Sequence, residues 1–253
     1  MARVARLSRA FLVVAAGIVA GFSLYVGLIH AGVVRSPFAP VLRGDIASAR
    51  SGRPGHRVLF VGNSMTYYNA MPQMVQRLAA ADPGAEPLFA VSYTAPSWTL
   101  QGAAADDPLA KLIRDVRWDT VILQENTTRA LESRSRLEHD SVPYAQDLQD
   151  SIDRKGARPL LYETWTGSSD LPSLLDMPVA PIGPAIAEAH SRRADLELLM
   201  DDGHHPNRAG SYLAACIFYA LLTKRDPSRS TYTGEIDPWD AMFLQRLAAE
   251  LAR

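Results

Sequence analysis

A serine, two aspartates and two histidines stand directly after short apolar segments, where they could support acyl transfer. Ser64 comes after the apolar residues 57–61, separated from them by one glycine and one asparagine. Far along the chain, Asp202 and His205 lie three positions apart, and the glycine between them permits a tight turn. Such a turn would bring the carboxylate onto Nδ1 of the imidazole and leave Nε2 free to act as the base for a serine hydroxyl. The pattern predicts a serine hydrolase.

The same residues allow other interpretations. The segment 201–205 could be a solvated polar loop that caps the next helix, or it could hold a metal ion. A metal is disfavoured because neighbouring histidines rarely converge on one ion, and no His-x-x-x-His or cysteine cluster accompanies them. Glu125 and Glu163 also follow apolar segments, and a carboxylate pair could serve a glycosidase. Since a full serine set is present, the glycosidase is the weaker hypothesis.

The elements that must position these side chains alternate along the chain. Five short apolar segments are predicted to be buried parallel strands: residues 57–61, 88–92, 120–124, 159–163 and 196–200. Helices are predicted over residues 72–81, 142–154, 182–193 and 208–223, with a last one starting at Asp237-Pro238. This order predicts a three-layer α/β/α sandwich with a parallel five-stranded sheet. Ligands of such sheets bind beyond the carboxyl ends of the strands, which is where the candidate residues fall.

An apolar run precedes these elements. Residues 11–34 are almost entirely apolar or small, which is long enough for a membrane span, and three arginines stand before them. We predict a signal anchor and transmembrane helix over residues 1–34, a flexible tether over 35–56 and a hydrolase domain over 57–253. The domain would lie outside the cytoplasm, periplasmic or extracellular, although arginines after the run nearly balance those before it. A cleaved signal peptide is the alternative.

Composition excludes some functions. The formal net charge is -1, so there is no basic excess to neutralise a nucleic-acid backbone. The chain has one cysteine, and therefore no intrachain disulfide. Cys216 falls on an apolar stripe with helical spacing and is predicted to pack in the core. No residue pattern calls for a cofactor or a metal.

Taken together, the motifs resemble the SGNH (GDSL-type) hydrolase superfamily over about residues 57–225. The first block of that family, a strand followed by Gly-Asp-Ser, is matched by Gly62-Asn63-Ser64, and the last, Asp-x-x-His-Pro, is matched by residues 202–206. The middle blocks match less well. Asn126 corresponds to the asparagine of the third block, where Gln124 replaces a glycine, and Ser97 stands nearest to the glycine of the second block.

The resemblance implies an assignment for each matched residue. Ser64 would be the nucleophile, His205 the base and Asp202 the residue that orients the base. The backbone N–H groups of Ser64 and Ser97 and the side chain of Asn126 would form the oxyanion hole. The replacement of the family's aspartate by Asn63 should alter the support of the nucleophile, and the side chains of Ser97 and Gln124 should crowd the acyl pocket.

The leading hypothesis is an esterase or deacylase that removes ester-linked acyl groups through an acyl-serine intermediate. Its substrate would be a small molecule or a glycan ester. An acyltransferase with the same triad, and a non-catalytic envelope binding or scaffold domain, are the alternatives. Aromatic residues after the strands could form a platform for a sugar or acyl chain, or could cover the edge of the core: Tyr67, Tyr68, Trp98 and Trp165.

Overall fold

The computed structural model describes residues 23, 24, 26, 36–165 and 169–252. The chain divides into two compact units, Met1–Ala39 and Pro40–Arg253. Within the described residues, no helix is both long enough and apolar enough to cross a membrane. The predicted anchor over residues 1–34 lies outside the described residues, apart from Ser23, Leu24 and Val26. The second unit contains the whole of the predicted hydrolase domain.

A six-stranded sheet forms the middle layer of this unit, with the order β1-β3-β2-β4-β5-β6. Its strands are β1 (Val41–Gly44), β2 (His56–Gly62), β3 (Leu88–Thr94), β4 (Thr120–Leu123), β5 (Arg158–Glu163) and β6 (Val179–Pro181). Strands β2 to β6 pair in parallel, and β1 pairs with β3 antiparallel at one edge. The predicted α/β sandwich is therefore confirmed, with one more strand than expected.

The prediction of a strand over residues 196–200 is wrong. This segment folds back locally, because the N–H of Met200 donates to the carbonyl of His205 at 2.8 Å and Leu199 forms an isolated bridge with Pro206. The fifth parallel strand is β6 instead. It comprises three residues, and its Val179 lies opposite Leu161 of β5.

The prediction of a flexible tether over residues 35–56 is wrong for most of that segment. β1 pairs along its whole length with β3, from Val41 opposite Thr94 to Gly44 opposite Val91. Gly44 has φ of 96°, and a Cβ there would lie 2.5 Å from the carbonyl oxygen of Ala90, so only glycine permits this approach. A short helix, Ile46–Arg50, follows at once.

Helices cover both faces of the sheet. In chain order they are α1 (Ile46–Arg50), α2 (Ser64–Tyr67), α3 (Met71–Ala80), α4 (Leu100–Ala104), α5 (Asp107–Asp115), α6 (Thr127–Ala130), α7 (Arg134–Asp140), α8 (Val142–Asp153), α9 (Leu171–Leu174), α10 (Ile182–Arg192), α11 (Arg208–Thr223) and α12 (Pro238–Leu251). The five helices predicted from periodicity are confirmed to within one residue at each predicted boundary. The short helices after β2, β3 and β4 were not predicted, since four or five residues carry too little periodicity.

Strand β2 divides the core by simple alternation. Val58 and Phe60 point into the layer beneath α3, α10, α11 and α12, whereas Leu59 and Val61 point into the layer beneath α4, α5 and α8. All four side chains are fully buried. Cys216 of α11 is also fully buried, which confirms its predicted place in the core, and burial raises the pKa of its thiol.

A buried carboxylate joins the end of α3 to the end of α11. The side chain of Asp82 is 1% exposed and accepts hydrogen bonds from Arg225 Nε at 2.6 Å and from the Tyr219 hydroxyl at 2.6 Å. These donors hold the pKa of the Asp82 carboxyl well below its usual range. Burial and the same contact together raise the pKa of Tyr219 to about 12.

Asp82→Asn is expected to lower the free energy of unfolding by about 2 kcal/mol at pH 7, because it removes the buried charge that accepts from the half-buried Arg225 and from Tyr219. Urea denaturation measures the change. Because the pKa of Asp82 is lowered on folding, its contribution is complete above the usual carboxylate range and fades as the pH falls through the folded pKa. The two proteins should therefore converge in acid. The exposed Asp147→Asn is the control, and an equal loss in both variants would contradict the assignment.

Candidate active site

The candidate nucleophile is held at the turn between β2 and α2. β2 ends at Gly62, and Asn63 caps α2 by accepting the N–H of Met65 at 3.2 Å. Ser64 is thereby the first residue of the helix, at the carboxyl edge of the sheet. Its Oγ lies 3.0 Å from Nε2 of His205, within hydrogen-bond distance.

The carboxylate of Asp202 holds the other side of the imidazole. Its Oδ2 lies 2.6 Å from Nδ1 of His205, and its Oδ1 accepts the backbone N–H groups of His204 and His205, both at 2.9 Å. These bonds, with the imidazole contact as the largest contribution, lower the pKa of Asp202 well below its ordinary value. Asp202 is therefore a carboxylate held against Nδ1, and Nε2 on the opposite side of the ring faces the Ser64 hydroxyl.

The loop that carries these two residues is anchored to α11. Asn207 caps that helix by accepting the N–H of Gly210 at 3.0 Å, and its own amide donates to the carbonyl of Glu197 at 2.7 Å. A Cβ on Gly210 would lie 2.1 Å from the carbonyl oxygen of Leu198. Glycine is required here because the helix and the incoming chain touch backbone to backbone.

Beneath Ser64, two buried side-chain amides bind each other. Oε1 of Gln124 accepts the backbone N–H of Asn63 at 2.9 Å, and Nε2 of Gln124 donates to Oδ1 of Asn63 at 3.0 Å. The amide of Asn63 also donates to the carbonyl of Trp98 at 3.0 Å. Asn63 and Gln124 thus join the ends of β2 and β4 to the loop after β3.

The side chain of Gln124 also explains why the residue at position 62 is a glycine. A Cβ on Gly62 would lie 2.5 Å from Oε1 of Gln124 and 2.6 Å from the hydroxyl of Thr66. Thr66 itself donates to the same Oε1 at 2.9 Å. A glycine in place of Gln124, as in the third block of the family, would leave this space empty. Asn63 and Gln124 both differ from the family pattern, and their side chains bind each other.

The predicted oxyanion residues lie together. Nδ2 of Asn126 donates to the carbonyl of Ser97 at 3.1 Å, while Oδ1 of Asn126 accepts the N–H groups of Thr128 and Arg129 at the start of α6. Ser97 has φ of 53°, the left-handed conformation that a glycine would adopt without strain. Within the described residues, the backbone N–H groups of Ser64 and Ser97 make no hydrogen bond. Both are donors available to a substrate oxygen.

The aromatic residues have structural contacts. The Trp98 ring meets that of Tyr93 edge to face, with ring centroids 5.7 Å apart, and packs against the core. The indole N–H of Trp165 donates to the carbonyl of His204 at 2.9 Å. Substrate binding by Trp98 and Trp165 stays a prediction. Tyr68 stacks directly on His205, a contact between residues far apart in sequence that no local pattern indicated.

Glu125 supports the site, a role that its position after a strand did not indicate. It is 2% exposed, and its Oε1 accepts the N–H of Asn126 at 2.6 Å and of Leu100 at 3.2 Å. Burial raises the pKa of this carboxyl, and burial likewise raises the pKa of Glu163. In the described part of the chain, no group of three or more His, Cys, Asp or Glu side chains is arranged to hold a metal ion.

Asn63→Asp is expected to destabilise the protein by about 2 kcal/mol, because it leaves the Trp98 carbonyl without its donor and buries a charge beside Gln124. Urea denaturation at pH 7 measures this loss. Gln101→Glu, an exposed amide-to-acid change on α4, is the matched control. Equal stability of Asn63→Asp and the wild type would show that the amide pair contributes nothing.

Glu125→Gln is expected to stabilise the protein relative to the wild type increasingly as the pH rises. Because burial raises the pKa of Glu125 in the folded protein, the unfolded chain loses this proton more readily. Folding therefore becomes less favourable as the pH rises through the unfolded and then the folded pKa. Glutamine keeps the Oε1 acceptor and does not ionise. The difference in free energy of unfolding between variant and wild type should grow from pH 4 to pH 7, in favour of the variant. Exposed Glu86→Gln should show no such trend, and a flat difference for Glu125→Gln would refute the argument.

Comparison with known proteins gives similarity at the level of structure. No family model and no curated protein sequence matches the chain. A DUF4886 family protein from Bacteroides uniformis matches with a TM-score of 0.60 and 17% identity, covering 78% of this chain and 94% of the other. A candidate SGNH hydrolase from Slackia heliotrinireducens matches with a TM-score of 0.53 and 20% identity, covering 66% and 98%. The chain therefore has the fold of the SGNH hydrolases.

Proposed function

We propose that the protein is a serine hydrolase that cleaves ester-linked acyl groups, as an esterase or deacylase. The observation that carries the proposal is the continuous arrangement of three side chains. Ser64 Oγ lies 3.0 Å from Nε2 of His205, and Nδ1 of the same ring lies 2.6 Å from Asp202. These are the distances that proton transfer from a serine hydroxyl requires.

The reaction proceeds in two half-reactions. Ser64 Oγ attacks the ester carbonyl carbon while its proton passes to Nε2 of His205, and Asp202 stabilises the imidazolium that forms. Collapse of the tetrahedral intermediate breaks the bond to the alkoxide leaving group, which takes the proton from His205. A water molecule then attacks the acyl-serine and gives its proton to His205. Collapse of this second tetrahedral intermediate breaks the bond to Ser64 Oγ, which takes the proton back from His205, and the carboxylic acid is released.

The negative charge of the tetrahedral oxygen needs donors fixed in advance. The free N–H groups of Ser64 and Ser97 and the second N–H of the Asn126 amide are the proposed donors. The Asn126–Ser97 hydrogen bond of 3.1 Å holds two of these groups in one unit, and Glu125 holds the backbone of Asn126. Ser97 has the left-handed backbone that a glycine adopts without strain, and its N–H makes no other hydrogen bond among the described residues.

The substrate is proposed to be an acyl ester of a small molecule or a glycan. Ser64 and His205 are half-buried and the Asp202 side chain is 46% exposed, so the site is open to a bulky alcohol portion. An extracytoplasmic location remains part of the proposal and rests on the apolar run over residues 11–34. If an acceptor hydroxyl replaced water in the second half-reaction, the same triad would act as an acyltransferase.

A non-catalytic binding domain is the rival hypothesis, because three positions depart from the family pattern. Two of the departures, Asn63 and Gln124, form a complementary pair that supports Ser64 from below. The third, Ser97, has a left-handed backbone conformation that a glycine would also adopt. These observations favour a working catalytic site over a relic of one.

Ser64→Ala is expected to abolish hydrolysis of short-chain and acetylated-sugar esters, with a loss of at least about 10³-fold, because no other group replaces the nucleophile. Labelling by a fluorophosphonate probe, followed by peptide mapping, should place the probe on Ser64. The exposed Ser135→Ala should retain both activities. A folded wild-type protein that neither labels nor cleaves any ester in the panel would refute the proposed function and favour the binding domain.

A further inference from the structure

We propose that the strained turn Tyr68–Ala70, directly after the nucleophile helix, positions the imidazole of His205. Tyr68 would hold the ring by stacking, and Asn69 would tie the backbone that follows it. Both are positioning residues that act through His205. This inference rests on the proposed function, because it assigns a purpose to contacts with the proposed base.

The contact between Tyr68 and His205 is face to face. The ring centroids are 4.5 Å apart and the planes differ by 18°. Tyr68 in turn stacks on Tyr67, with centroids 5.7 Å apart and planes differing by 22°. The Arg43 guanidinium lies over the ring of Tyr67, 5.1 Å from its centroid. A continuous stack therefore runs from β1 to the proposed base. It prevents the imidazole from turning out of the line between Ser64 and Asp202.

The backbone of the turn is strained and is held from outside. Asn69 has φ of 52° and Ala70 has φ of 55°, and two consecutive non-glycine residues in the left-handed region are uncommon. Asn69 Nδ2 donates to the carbonyl of Pro206 at 3.0 Å and to the Ser211 hydroxyl at 2.9 Å. Pro206 is the residue immediately after His205. Asn69 therefore binds the backbone directly after His205, and Tyr68 of the same turn stacks on the His205 ring.

The groups around His205 determine how the stacked tyrosine affects the charged form of the imidazole. Asp202 contacts Nδ1, Ser64 contacts Nε2, Tyr68 covers one face, and the His204 ring meets the imidazole at 82° with centroids 4.9 Å apart. Arg43 lies beyond both tyrosines. When Nε2 takes the proton of Ser64, the imidazolium is a cation against the π face of Tyr68, which favours the charged form. Tyr68 therefore both aligns the base and stabilises the state that it reaches in the transition state.

The experiment compares Tyr68→Leu and Tyr68→Phe, with Tyr144→Leu on α8 as the control for loss of a half-buried tyrosine. The first measurement is independent of activity. The Hε1 proton of His205 is followed by NMR at one fixed pH. Stacking shifts this proton upfield in the wild type and in Tyr68→Phe. In Tyr68→Leu the signal should move downfield, because the ring that shields it is gone.

The second measurement is the second-order rate constant of fluorophosphonate labelling. Here Ser64 Oγ bonds to phosphorus, fluoride leaves, and the serine proton passes to His205. Tyr68→Leu should label about tenfold more slowly than the wild type, and Tyr68→Phe and Tyr144→Leu within about twofold of it. Asn69→Gly, which tolerates the positive φ but loses the amide, should label about threefold more slowly.

Two results would overturn the inference. One is an unchanged chemical shift of the His205 Hε1 proton in Tyr68→Leu. The other is a Tyr68→Phe variant as slow as Tyr68→Leu, since that would assign the effect to the hydroxyl and not to the ring. Failure of the wild type to label would instead refute the proposed function, and the NMR measurement would still decide whether Tyr68 holds the ring of His205.

Discussion

The reciprocal hydrogen bonds between the buried amides of Asn63 and Gln124 are the constraint on which the candidate site depends. They join the ends of two neighbouring parallel strands directly beneath Ser64. A parallel sheet brings strand ends to one edge but does not fix the loops that leave them. Here the amide of Asn63 reaches on to the Trp98 carbonyl, so the loop after a third strand is fixed as well. The nucleophile, its turn and the oxyanion loop are one hydrogen-bonded body.

The second body is the loop between Leu198 and α11, which carries Asp202 and His205. It is held by Asn207, by the close approach of Gly210 and by its own short-range hydrogen bonds. The Trp165 indole, just after β5, adds one hydrogen bond to the carbonyl of His204. Catalysis by the proposed mechanism requires the two bodies to keep a separation of 3.0 Å between one oxygen and one nitrogen. The contacts of the strained turn with His205 and Pro206 are the bridge between them.

How far this structure could be predicted from the sequence differs from element to element. β2 was predictable because its centre is a run of four apolar residues, and α11 because its apolar stripe is long. β6 was not, since three residues that end in one proline and follow another give no pattern. The apolar residues 196–200 form a local turn in place of a strand. The proximity of Ser64, Asp202 and His205 was predictable from residue type and spacing. The role of Gln124 was not, because its partner lies 61 positions away and only the folded chain shows that the two fit.

The distance along the chain between the two bodies has a consequence for how the molecule is made. Ser64 and His205 are 141 positions apart, and Asn69 and Pro206 are 137 apart. Contacts between residues so far apart in sequence are expected to form late in folding, because closing the long intervening loop costs entropy before the contacts can stabilise the chain. A nascent chain that has completed the first four strands contains the nucleophile but no base. Under the proposed mechanism, Ser64 would become reactive only when the last quarter of the domain has folded onto the rest, and would lose its base if that part detached.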